Sequence, residues 1–217
     1  MKRILILCEG QTEETFVTRV LDPHLKRFQK TAIPKVLVTK KVKTGLEFHG
    51  GITFYAHIRR DVQNLLQDSN AICITTMLDY YRLPADFPGK DTLHGGTPYE
   101  RVAHLEQAFS ANIGARRFLP YLMLHEFEAL LFVDLNAVIE VLNSPITPDQ
   151  FGDLRHFSSP EEINEGQRTH PAARLQQYLR GYRKPLHGPL AVERIGLPRL
   201  RQQCRHFDEW LKRLEAL

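Results

Sequence analysis

Arg3-Ile4-Leu5-Ile6-Leu7-Cys8-Glu9-Gly10 decides the fold. The apolar run has the length of one β-strand and no polar alternation, which is the pattern of a strand buried on both faces in a parallel sheet. It stops at Glu9-Gly10, and Thr12 to Phe28 then carries Phe16, Val17, Val20, Leu21 and Leu25 at helical spacing. Glu13 and Glu14 fall in the first turn of that helix, where the helix dipole favours acids. The chain therefore opens strand, tight turn, helix.

The same alternation continues downstream. Pro34 to Val42 reads as a second strand, followed by a Gly-rich stretch over Phe48-His49-Gly50-Gly51 and a helix from about Thr53 to Leu66. Ala71 to Leu78 is a third strand ending at Asp79. A Pro-rich loop leads to a helix over Tyr99 to Ala111, and Phe118 to Leu124 is a fourth strand ending at His125-Glu126. Strands alternating with helices predict an α/β fold with a mainly parallel sheet flanked by helices. Residues 1–143 form this core. Residues 144–217 are an irregular insertion followed by a basic helical appendage packed on the core, its clearest helix running from Leu197 to Leu217 with Leu200, Cys204, Phe207, Leu211 and Leu214 on one face.

Composition bounds the function classes. The 217 residues are 42% hydrophobic and 25% charged, with 13 Gly and 13 Pro, which excludes a disordered or collagenous chain. No apolar stretch reaches the length of a membrane span or of a signal-peptide core, so a cytoplasmic protein without membrane contact is expected. Cys8, Cys73 and Cys204 have no CxxC spacing and read as reduced thiols rather than a disulfide or zinc framework.

Three predicted strand ends carry acids: Glu9, Asp79 and Glu126. In an open parallel sheet ligands bind at the carboxyl ends of the strands. Three carboxylates on that edge repel one another unless a cation lies among them, and a hard cation with oxygen ligands, Mg2+ or Mn2+, is the natural partner. Glu13 and Glu128 are close enough in sequence to add oxygens. Gly10, in the turn between strand and helix, is expected to need positive φ or close backbone approach. A phosphate loop is excluded because GxxxxGK[ST] is absent, and His125-Glu126 is not a zincin because Ala129 stands where HExxH needs its second histidine. His125 reads as a structural residue.

The net charge of +4 says less than its distribution. From Arg168 to Arg213 there are eleven Lys or Arg against three acids, with aromatic residues interleaved. Arg180, Arg183, Lys184, Arg199, Arg201 and Arg205 are candidate phosphate contacts and Tyr182 a candidate stacking platform for DNA or RNA. Charge alone equally describes a solvated helical face, or cations paired with Glu161, Glu162 and Glu165.

Glu9-Gly10-Gln11-Thr12-Glu13 resembles the E-G-x-T-E segment of Toprim domains in overcoming-lysogenization-defect nucleases. Asp79 matches the first aspartate of their D-x-D, while Tyr81 stands in place of the second. Leu78-Asp79-Tyr80-Tyr81, the run from His125 to Phe132, Pro160-Glu161-Glu162-Ile163-Asn164 and the run from Cys204 to Leu211 resemble the DUF4276 family over almost the whole chain. The resemblance implies a Toprim-like, Rossmann-like fold and metal-dependent phosphodiester chemistry. Glu9, Asp79 and Glu126 would hold Mg2+ or Mn2+, with Glu13 or Glu128 completing the site or acting as base. It also implies a nuclease acting in phage defence with an ABC-type or AAA-type ATPase. The alternative is a non-catalytic or partner-activated module that binds nucleic acid or a nucleotide, which Tyr81 favours. Oligomeric state is not legible.

Overall fold

The computed structural model describes residues 1–37, 54–152, 154, 157–163, 166 and 168–217. Strands β1 (Lys2–Cys8), β2 (Lys30–Val36), β3 (Ala71–Asp79), β4 (Phe118–Leu119) and β5 (Leu122–Met123) form one parallel sheet in the order β2-β1-β3-β4, with β5 also on β3. Every pairing is parallel, and Cys8 lies opposite Met77, which brings the ends of β1 and β3 side by side. The expected α/β class is the one observed. The stretches 38–42 and 48–51 of the sequence reading lie outside the described residues.

The unbroken apolar run of β1 serves two cores at once. Ile4, Ile6 and Cys8 join one cluster and Leu5 and Leu7 the other, as side chains alternate across the sheet. The second cluster is closed by helices α3 (Tyr55–Leu65) and α4 (Pro98–Ile113) through Ile58, Val62, Val102, Leu105 and Phe109.

The first cluster is closed by both ends of the chain. After α1 (Gln11–Phe16) the helix widens into a π turn over Val17–Leu21 before α2 (Asp22–Lys26). Pro23 explains the change, since it has no N–H to give to the carbonyl of Arg19. From the C-terminal side come α5 (Leu135–Val141), α6 (Pro171–Tyr178), α7 (Lys184–Ile195), α8 (Leu197–Gln203) and α9 (Arg205–Ala216). Phe207, Trp210, Leu211 and Leu214 pack in the same core as Ile4 and Ile6, and Trp210 Nε1 donates to Thr75 Oγ1 at 2.9 Å. This C-terminal segment is thus one of the two layers covering the sheet.

Two expected elements are interrupted. The strand Phe118–Leu124 breaks into β4 and β5 at Pro120, which lacks a ladder donor. Thr76 Oγ1 bridges the gap, donating to Tyr121 O at 2.8 Å and accepting from Tyr121 N at 2.9 Å. The helix from Leu197 to Leu217 divides at Cys204, where φ −114 and ψ 89 leave the helical region. The buried Glu161 carboxylate accepts from the first backbone donors of α9, His206 N and Phe207 N, both at 3.0 Å. Those donors are the ones a helix start leaves unpaired.

No helix among the described residues is long and apolar enough to cross a membrane.

Candidate functional site

The carboxyl edge of the sheet opens into a cavity of about 530 Å3 whose lining includes Glu9, Glu13, Asp79, Glu126, Glu128, Tyr81, Arg82, His170 and Lys184. All five carboxylates named from the sequence meet here. Glu9 follows β1, and Asp79 ends β3; the backbone N–H of Asp79 donates to Glu9 Oε2 at 3.1 Å, so the two strand ends are tied together. Asp79 Oδ1 accepts from Phe127 N at 3.0 Å, linking β3 to the turn that carries Glu126 and Glu128. His125 introduces that turn with φ 63, an uncommon conformation for a non-glycine, and its carbonyl accepts from Tyr81 N at 2.8 Å.

Glu13 belongs to the first turn of α1. Its Oε2 accepts from Gly10 N at 2.8 Å, while Oε1 is buried without a hydrogen-bond partner. The expectation for Gly10 is corrected: its φ of −157 is extended backbone open to any residue, and an added Cβ would meet Glu13 Oε2 at an ordinary 3.6 Å. The glycine that matters for close approach is Gly188 in α7. A Cβ there would lie 3.3 Å from Phe127 and Thr12 side-chain atoms and 3.4 Å from the Tyr182 hydroxyl. Its bare Cα lets α7 settle against α1 and the Phe127 turn.

That docking delivers Lys184 to the acids. Its Nζ lies 3.0 Å from Glu128 Oε2, 3.1 Å from Asp79 Oδ2 and 3.8 Å from Glu13 Oε1, with the side chain 32% exposed. Burial pushes the Glu9 carboxyl up to about 8, with the Asp79 charge adding to it. Burial likewise raises Glu128 to about 7, against the opposing pull of Lys184, and raises Glu13. Lys184 is disfavoured as a cation by burial, yet Asp79, Glu128 and Glu13 outweigh that and hold it charged well beyond the usual lysine range.

Glu126 has a different employment from the one expected. Its Oε1 accepts from Ala172 N at 2.6 Å and contacts His170 Nδ1 at 2.7 Å, so it caps α6 and holds an imidazole. One oxygen of the expected third ligand is thus already engaged, while Glu126 still lines the cavity. Tyr81, two residues past Asp79, stacks on His170 with ring centroids 4.8 Å apart at 24°. His170 has no motif and lies far from the strand ends in the chain, so nothing in the sequence marks it; Arg82 stands only three residues past Asp79, and that proximity is the signal that could have found it.

The basic residues do not make one track. Tyr182 is 9% exposed and its hydroxyl donates to Glu128 Oε1 at 3.3 Å, so it is a buried wall of the site and not a stacking platform. Lys184 likewise faces carboxylates. Arg201 pairs with Asp208 and Glu215, both at 2.5 Å, and binds α8 to α9. Arg199 pairs with Asp134, and Arg205 with Glu209 at 3.3 Å. The acids used differ from those considered from the sequence, since Glu161 caps α9, Glu162 bonds Ser158 and Glu165 lies outside the described residues. Arg180 and Arg183 are exposed and pair with no described acid.

The family model for a domain of unknown function, DUF4276, matches residues 8–215. The chain is a member of the DUF4276 family. No curated protein and no solved structure matches it. In this DUF4276 protein the match runs from the residue before Glu9 to the last turn of α9, so every residue of the cavity lies within the family domain.

Among the described residues no group of three acids, histidines or cysteines converges closely enough to hold a divalent cation, and the ammonium of Lys184 lies among Glu13, Asp79 and Glu128. The donor types, though not their spacing, are those a hard cation takes. The candidate ligands are all oxygens, the carboxylates outnumber the nearby cations, and Glu13 Oε1 is a buried oxygen with no hydrogen bond.

Proposed function

We propose that this DUF4276 protein is a Mg2+- or Mn2+-dependent nuclease of Toprim type, cleaving phosphodiester bonds of DNA or RNA in the cavity at the carboxyl edge of the sheet. The observation that supports the reading is that Glu9, Glu13 and Asp79 line one cavity, with Glu13 Oε1 buried and without a hydrogen bond. Glu9, Asp79 and Glu13 would hold the cation, which when bound supplies charge stabilisation at the scissile phosphate. Asp79 is held from both sides, through its own N–H to Glu9 and its Oδ1 to Phe127 N, so its carboxylate is already oriented. Lys184 keeps the acids from repelling one another before substrate arrives and then offers its ammonium to a phosphate oxygen. Arg82, at the rim, and the exposed Arg180 and Arg183 attract the polyanion. An ABC-type or AAA-type ATPase partner in phage defence belongs to the same proposal.

A second reading is favoured by the Lys184 ion pairs, which already neutralise Asp79 and Glu128. In that case the protein is a binding module, active only once a partner withdraws the lysine. The test is incubation of the purified protein with Mn2+ or Mg2+ and mixed DNA and RNA, with and without the product of the neighbouring gene. Cleavage that disappears in Asp79→Asn supports the nuclease. Binding without cleavage under every condition supports the module.

A further inference from the structure

We infer that His170 is the proton acceptor of the reaction, a general base held in place by Glu126. The inference rests on the nuclease reading and adds a residue that the carboxylate pattern does not contain. Four observations converge on the imidazole. His170 lines the same cavity as Glu9 and Asp79. Its Nδ1 lies 2.7 Å from Glu126 Oε1, an oxygen that also accepts from Ala172 N at 2.6 Å and so acts as an acceptor towards both. The two side chains are 11% and 9% exposed, which protects the pair from competition by water. Tyr81 stacks against the ring and fixes its plane.

The tautomer follows from the hydrogen bond. With Nδ1 donating to a carboxylate, the neutral imidazole carries its lone pair on Nε2, and no described residue bonds that nitrogen. A carboxylate behind an imidazole in this way orients it and stabilises the imidazolium that forms. Glu126 is therefore a positioning residue, and Tyr81 is a second one. Position 81 thus presents to the edge an aromatic clamp on an imidazole.

The step balances as hydrolysis. A water oxygen forms a bond to phosphorus as one of its protons passes to His170 Nε2, and the P–O bond to the leaving nucleotide breaks. The leaving oxygen takes a proton from solvent water, and the imidazolium later returns its proton to bulk. One phosphomonoester and one alcohol result.

The test uses the full chain with Mn2+ and a DNA or RNA substrate. His170→Gln is expected to slow kcat by about 10²–10⁴-fold with little change in KM. Mn2+ affinity should be unchanged in His170→Gln, and added imidazole should restore His170→Ala. Glu126→Gln should lose part of the rate, and 1H–15N spectra of its His170 ring should show the Nε2–H tautomer growing at the expense of the Nδ1–H form of the wild type. An undiminished rate in His170→Gln beside an active wild type overturns the inference and leaves the nuclease reading standing. Loss of Mn2+ binding in His170→Gln makes the residue a ligand and also overturns it, as does an Nε2–H tautomer in the wild type. A wild-type protein that cleaves nothing overturns the nuclease reading, and the general base with it.

Discussion

Lys184 Nζ stands 3.1 Å from Asp79 Oδ2, an ion pair that joins the start of α7 to the end of β3 across 105 residues of sequence. The same ammonium reaches Glu128 and Glu13, so one flexible side chain neutralises acids delivered by three different elements. Lys184→Met is therefore expected to destabilise the cation-free protein. The loss should fall below the roughly 3–5 kcal/mol of a fully buried pair, because the lysine is about one-third exposed. Thermal unfolding checks this, and added Mn2+ should recover more stability in Lys184→Met than in the wild type.

The raised carboxyls give a pH dependence of definite sign. Glu9 and Glu128 bind protons more tightly in the folded chain than at their ordinary value of 4.5, holding them up to about 8 and about 7. The folded state binds more protons than the unfolded one between these limits, so cation-free stability falls as pH rises from about 4.5 to about 8. His206 works in the same direction. Burial lowers its proton affinity, but Glu106 at 3.0 Å outweighs that and raises it, so its contribution is present at low pH and lost as pH climbs through the folded value. Unfolding midpoints measured across this range should decline, and the decline should shrink in a Glu9→Gln, Glu128→Gln double variant.

Gly188 and Gly10 make opposite predictions. Gly10→Ala should leave folding and Mn2+ affinity near wild type, since its backbone is extended and the added Cβ has room. Gly188→Val adds a branched side chain where a single Cβ already approaches Phe127 and Thr12 at 3.3 Å, and overpacking of this kind costs about 1–3 kcal/mol. The shift of α7 should also move Lys184, so this variant should lower both the unfolding midpoint and nucleic-acid affinity.

Much of the fold was legible because β1 and β3, the central strands, are compact apolar runs whose ends are marked by acids. Glu9, Asp79 and Glu126 share one edge for the plain reason that parallel strands put all their carboxyl ends together. The rest depended on distant contacts that spacing does not encode. Lys184 reads as one more surface cation in a basic segment until the missing Cβ of Gly188 seats its helix against α1. His170 precedes a proline in an irregular stretch, and only the Glu126 hydrogen bond gives it a place in the site. Interleaved charge and aromatics suggested a binding track, yet Arg201 and Tyr182 turned inward to Glu215 and Glu128.

The remaining exposed cations carry the nucleic-acid prediction. An Arg180→Ala, Arg183→Ala double variant should weaken binding to all sequences alike and lower the salt slope by about 0.7–0.9 per lost phosphate contact. Arg201→Ala should leave that slope unchanged and reduce stability instead, because it removes the pairs with Asp208 and Glu215. Filter binding or fluorescence anisotropy over a salt series separates the two.

The cation site itself is tested most directly by titrating Mn2+ into the protein and following the free ion by electron paramagnetic resonance, in wild type, Glu9→Gln and Asp79→Asn. Saturable binding in the wild type, weakened by at least about tenfold in each variant, which corresponds to 1.4 kcal/mol, is the predicted result. Binding that is absent from the wild type, or equally strong in both variants, would contradict the assignment of Glu9 and Asp79 as cation ligands.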